Sequence, residues 1–201
     1  MSAETAVPLD LSFKDIPNLE ELFQEGLAEG RDSERRLKKG VQRAIRLSNN
    51  RIHNISSLYE VCSALVKEPS EVKWIDLSFN QLTSIDEVIL KFPKLVSLNL
   101  HANLIWNINE IDKLAALPNL RHLTLHGNPI DASKQRAGDE EKDSLIAKVK
   151  ERQNQSGFLN MGTSAETPLY YRSYVIQKLP NLQRLDFSSI TKQDRLNAKQ
   201  I

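Results

Sequence analysis

An asparagine recurs through the middle of this chain with the same apolar residues around it each time. No other feature restricts the fold as much. Asn50, Asn80, Asn103 and Asn128 are separated by 30, 23 and 25 residues. Ahead of them stand paired apolar side chains: Ile45 and Leu47, Ile75 and Leu77, Leu98 and Leu100, Leu123 and Leu125. Behind them follow Ile52, Leu82, Ile105 and Ile130, and further upstream lie Val72, Leu95 and Leu120, with Gln42 the one departure. A unit of this length cannot bury its apolar side alone and must stack on copies of itself. The chain is therefore expected to be a solenoid.

The pattern also says what each unit looks like. Side chains alternate along a strand, so the two apolar residues of each pair face inward and the residues between them face out. An asparagine amide both donates and accepts, so a stack of them can bond backbone groups of neighbouring turns that no sheet ladder serves. Between strands, residues 56–67 carry Leu58, Val61, Cys62, Leu65 and Val66 at helical spacing. The shorter connections 86–91 and 110–116 each lead into a proline entry, Pro93 before Leu95 and Pro118 before Leu120. Proline cannot continue a helix, so it closes the connection and starts the next strand. The expected class is α/β: a leucine-rich-repeat solenoid with parallel concave strands, short helical convex connections, an N-terminal helical segment and a C-terminal cap.

Four regions follow. Residues 1–40 read as an N-terminal extension, with Asn18 capping a helix that carries Leu19, Leu22, Phe23 and Leu27. That helix could shield the first repeat or meet a partner. Residues 41–130 hold the four repeats. Residues 131–167 break the register with a charged stretch expected to be a flexible insertion. Residues 168–201 begin with Tyr170, Tyr171 and Tyr174 as packing groups and continue as a final repeat. There Ile190 replaces the ladder asparagine and a polar tail follows, as a cap requires.

Composition excludes several classes of function. Lys and Arg total 27 against 26 Asp and Glu, so no global field draws the chain to nucleic acid or an anionic membrane. The basic stretch Arg31, Arg35, Arg36, Lys38, Lys39 and Arg43 is interrupted by Asp32 and Glu34, unlike a dedicated nucleic-acid face. One cysteine, Cys62, allows no intrachain disulfide, and with no apolar N-terminal stretch it points to a reducing interior of the cell. No apolar run is long enough to span a bilayer. Seven glycines form no phosphate-cradling loop. Cys62 sits on an apolar helix face, and Ser78 and Ser188 lie on strands without an oxyanion hole, so no catalytic residue is expected.

The outward strand positions form the expected binding face. One column reads Arg46, Asp76, Asn99, Thr124 and Asp186. A second reads Ala44, Trp74, Ser97, His122 and Arg184, and a third Ser48, Ser78, His101, His126 and Ser188. From these, Arg46, Trp74, Asp76, Asn99, His101, His122, His126 and Arg184, with Phe79 beside them, are the candidate partner-binding residues. Tryptophan in an outward position is an interface anchor unless the N-terminal helix or a loop covers it. Three histidines close together invite a metal. No cysteine accompanies them, so solvent-facing or interface histidines are expected, with neither metal nor cofactor.

The stretches Trp74–Asp86, Leu123–Pro129 and Asp186–Arg195, together with Pro8-Leu-Asp-Leu-Ser-Phe13, resemble the family of leucine-rich repeat-containing protein 51. The wider short-helix class also includes a nuclear phosphatase-1 regulator and the U2 ribonucleoprotein A′ protein. The resemblance departs at the 131–167 insertion. It implies a non-catalytic scaffold of the ciliary or flagellar axoneme that binds large axonemal proteins, as a monomer within a larger complex and without a small-molecule substrate. A phosphatase-docking subunit and an RNA-processing adaptor are the alternatives.

Overall fold

In the computed structural model, residues 8–22, 42–130 and 169–200 are described. The insertion 131–167, the basic residues 31–39, and Phe23 and Leu27 lie outside them. Seven strands form one sheet in sequence order: β1 Leu9–Asp10, β2 Ala44–Arg46, β3 Trp74–Asp76, β4 Ser97–Asn99, β5 His122–Thr124, β6 Arg184–Leu185 and β7 Ser188–Ser189. The first six run parallel, and Ile45, Ile75, Leu98, Leu123 and Leu185 pair in one row. β7 turns back antiparallel on β6, so the solenoid ends in a hairpin.

The convex side varies from turn to turn. It starts with helix α1, Leu58–Leu65, whose Leu58, Val61 and Cys62 are buried. Short 3-10 segments follow at Glu87–Lys91 and Ile108–Ala116, each opened by a side chain, Asp86 or Asn107, that accepts a backbone N–H. Helix α2, Leu169–Lys178, backs the last strand, and α3, Lys192–Asn197, closes the end through a reciprocal Thr191–Asp194 capping box. A single apolar core runs from Ile16 to Leu185 between these two sides.

The asparagines do what the repeat requires. The Asn103 amide donates to the carbonyls of Leu77 and Leu100 at 2.9 and 3.0 Å and accepts the Leu82 N–H at 3.0 Å. Asn80 and Asn128 repeat the arrangement one turn earlier and later. Asn50 reaches back to the Leu11 carbonyl at 2.9 Å and accepts from the N–H groups of Lys14 and Ile16.

That last contact extends the sheet ahead of residue 41. Leu9 and Asp10 pair in register with Ile45 and Arg46, so Pro8–Phe13 is itself the front of a repeat, with Lys14 in the ladder position. Behind it Asn18 caps the next turn by accepting the Glu20 N–H, and Ile16 and Leu19 are buried in the core. The described start of the N-terminal helix therefore packs on the solenoid.

Candidate functional site

The parallel register brings the outward residues into rows. Ala44, Trp74, Ser97, His122 and Arg184 align across five strands, and Arg46, Asp76, Asn99 and Thr124 across four. Trp74 is half-buried, and the Arg46 guanidinium lies over it at 5.3 Å from the ring centre. Arg46 also pairs with Asp10 at 3.1 Å. The Ser12 hydroxyl and N–H, followed by the Arg46 charge, hold the Asp10 carboxyl below its ordinary range. Asn99 is half-buried and Arg184 exposed.

Three of the expected placements change. Asp76 is only 8% exposed, and its Oδ1 accepts the Ser78 N–H at 3.0 Å and the Ser78 hydroxyl at 2.6 Å. It braces the turn after β3 and offers a partner little of its charge. Asp186 leaves its column because the backbone swings to positive φ at both Asp186 and Phe187. Ser188 leaves the histidine column for the same reason and pairs with Leu185 in the closing hairpin.

The turn at Asp186 moves a carboxylate into a backbone role. In earlier repeats the N–H after the strand meets the neighbouring strand's carbonyl, as Leu77 meets Asn99 and Leu100 meets Thr124. At the last repeat the Leu125 and His126 N–H groups instead reach Asp186 Oδ1, at 2.7 and 2.9 Å. Burial works against the charge there, yet hydrogen bonds from His126, Leu125 and Tyr171 outweigh it and hold the Asp186 pKa below its ordinary value.

His101 and His126 stack with ring centres 4.7 Å apart and planes 9° from parallel. Phe79 meets His101 edge-on at 5.2 Å, and Phe187 lies 5.1 Å from His126. His101 Nδ1 is 2.8 Å from the Thr124 hydroxyl. Burial, then the His126 charge, lowers the His101 pKa to about 4. His122 sits in the next row beside Arg184, where burial and that cation lower its pKa as well. No group of three or more His, Cys, Asp or Glu side chains among the described residues could hold a metal ion. The arrangement is an aromatic surface in which the His101 and His126 imidazoles serve as rings.

Sequence reasoning missed two members of this surface. Phe13 and Phe187 are 73% and 62% exposed. Phe187 stands where an inward strand residue was expected, and Phe13 matches Phe79 in its repeat, both at positive φ. An open groove of about 620 Å³ runs between Phe13 and Phe79, over Ser12, Ser48, Asn49 and Ser78. The shared Asp-Leu-Ser-Phe at 10–13 and 76–79 was the available signal. Among the described residues no helix is long and apolar enough to cross a membrane.

Known proteins share this architecture. A structure of the Drosophila melanogaster SNF/U2A′ complex superposes with a TM-score of 0.55 over 96% of this chain and 79% of its own, at 21% identity. The U2 small nuclear ribonucleoprotein A′ of Schizosaccharomyces pombe is 28% identical over 61% of the chain and 37% of its own length. Leucine-rich repeat-containing protein 51 of Macaca mulatta is 37% identical, and that of Homo sapiens 36%, each over 96% of this chain and 83% of the relative. A family model described as leucine-rich repeat matches residues 70–201. The chain thus belongs to the leucine-rich repeat proteins and, among them, to the family of leucine-rich repeat-containing protein 51.

Proposed function

We propose that this protein is a non-catalytic scaffold that holds a large protein partner against its concave face, and that it does so in the ciliary or flagellar axoneme. The observation that carries the scaffold reading is the aromatic surface itself. Phe79, His101, His126 and Phe187 form an unbroken row of ring contacts across the concave side, with Phe13 and Trp74 beside it. Exposed rings on a rigid sheet are the groups that dominate protein interfaces. Leucine-rich repeat proteins typically bind rather than catalyse, which agrees with this chemistry. The axonemal setting rests on the family resemblance alone.

Relatedness to the U2 ribonucleoprotein A′ protein favours a second reading, an adaptor in a ribonucleoprotein. One experiment separates the two. The tagged protein is expressed in ciliated cells, the detergent-resistant axoneme is separated from the soluble fraction, and the axoneme is cross-linked. Retention until high salt, with cross-links at Trp74-facing positions, is the expected result. Recovery in the soluble fraction on ribonucleoprotein particles, or on a phosphatase, would overturn the axonemal reading.

A further inference from the structure

One seat in the concave surface is built for a ring and, among the described residues, holds none. Phe13, Asn49 and Phe79 occupy the same repeat position on successive turns, at φ of 56°, 58° and 54°. Their N–H groups bond the next turn's carbonyl in the same way, Phe13 to Ser48, Asn49 to Ser78 and Phe79 to His101. The first and third carry phenyl rings, and the middle one carries a short amide on the floor of the groove. Adjacent strands lie about 4.8 Å apart, so the space over Asn49 is about one strand step from each phenylalanine. That step suits aromatic pairing, which favours ring centres roughly 4.5–7 Å apart. The sheet demonstrates this next door, where His101 and His126 stack across one step at 4.7 Å.

The floor and charges of the seat define what fits. Asn49 and Ser48 line the floor of the groove with an amide and a hydroxyl. An aliphatic group seated there would cover both without satisfying either, which is costly. An anion would meet an Arg46 already paired with Asp10, and the Asp76 carboxylate besides. A neutral ring with a hydrogen-bonding edge meets both demands. We infer that the gap over Asn49, between Phe13 and Phe79, receives a tyrosine or tryptophan side chain from the bound partner. This rests on the scaffold reading and specifies the partner's anchoring group.

The direct test titrates the full chain with N-acetyl-tyrosinamide while following backbone and side-chain amides by NMR. Shifts centred on the Asn49 amide and the N–H groups of Phe13 and Phe79 are expected. Asn49→Phe fills the seat from within and should weaken binding by about tenfold or more. Phe13→Ala should do likewise, and being an exposed position it leaves the core intact. N-acetyl-leucinamide should bind at least about tenfold more weakly than the tyrosine probe. Shifts located elsewhere, equal binding of the leucine probe, or unchanged binding by Asn49→Phe would each overturn the inference. Capture of the cross-linked partner keeps the two ideas distinct. Capture that survives Asn49→Phe and Phe13→Ala but fails on Trp74→Ala overturns the ring seat and leaves the scaffold reading in place. Capture indifferent to all three variants overturns both.

Discussion

The Tyr171 hydroxyl donates to Asp186 at 2.7 Å, from helix α2 to the residue that replaces a strand carbonyl at the end of the solenoid. The tyrosine sits on the convex helix and the aspartate beneath the concave rings, so the cap is tied through its thickness. Tyr171→Phe removes one bond to a charged group and should cost about 1.5 kcal/mol in urea unfolding. Asp186→Ala also strands the Leu125 and His126 N–H groups and should cost about 3 kcal/mol. The sign of the pH effect follows from the lowered Asp186 pKa. Its contribution is present above the ordinary carboxylate value and disappears as pH falls through the folded one. Acid unfolding of Asp186→Asn should therefore lose part of the wild-type pH dependence below about pH 4.

His101 should titrate with a midpoint of about 4 in a proton NMR pH series. Burial and the facing His126, outweighing Asp76 and Asp186, hold it neutral. An unfolded histidine takes up its proton near pH 6.5, so the folded state loses stability as pH drops from there toward 4. His126→Ala opens the stack and removes the second imidazole. It should raise the His101 midpoint, and no rise would show that the stacking is not what holds the ring neutral.

Asn103 is fully buried and serves four backbone groups. Asn103→Ala leaves them unpaired in the core and should destabilise by about 3 kcal/mol, read as a lower urea midpoint. Asn128 is half-buried, and its alanine variant should cost less.

Trp74→Ala should leave the fold within about 1 kcal/mol of wild type, because the ring meets Arg46 on an open face. Partner capture should fall by at least about tenfold if the tryptophan is an interface anchor. Calorimetry on the free protein separates the two effects.

Cys62 is 1% exposed, and burial, reinforced by Glu60, pushes its thiol up to about 12. It should resist a thiol reagent at pH 8 in the native protein and react at once in strong denaturant. Rapid native labelling would mean that α1 opens readily.

The interior repeats were legible because each turn meets the same backbone problem and answers it with asparagine. The first strand was not, because Lys14 replaces that asparagine and lies 36 residues from Asn50, beyond the ordinary period. Its inward leucines and the Asp-Leu-Ser-Phe match were present, but a ladder search passes over them. At the far end Asp186 and Phe187 turn at positive φ without a glycine, so no sequence signal marked where the strand stops. The row from Ala44 to Arg184 stays in register through β6, whereas the other two columns end where that turn begins. Asp76 looked outward by alternation, and only the short turn through Ser78 buries it.

Among the described residues β1 has a neighbour on one side only, whereas β2 through β6 have two. Its hold on the sheet is a few backbone bonds, the Asn50 amide and the Arg46 pair. In hydrogen exchange it should fray while β2 through β6 stay protected. Phe13 belongs to that fraying end, so one jaw of the ring seat opens whenever β1 lifts. A partner that inserts a ring there clamps β1 in place by mass action, and grip and edge-strand order rise together.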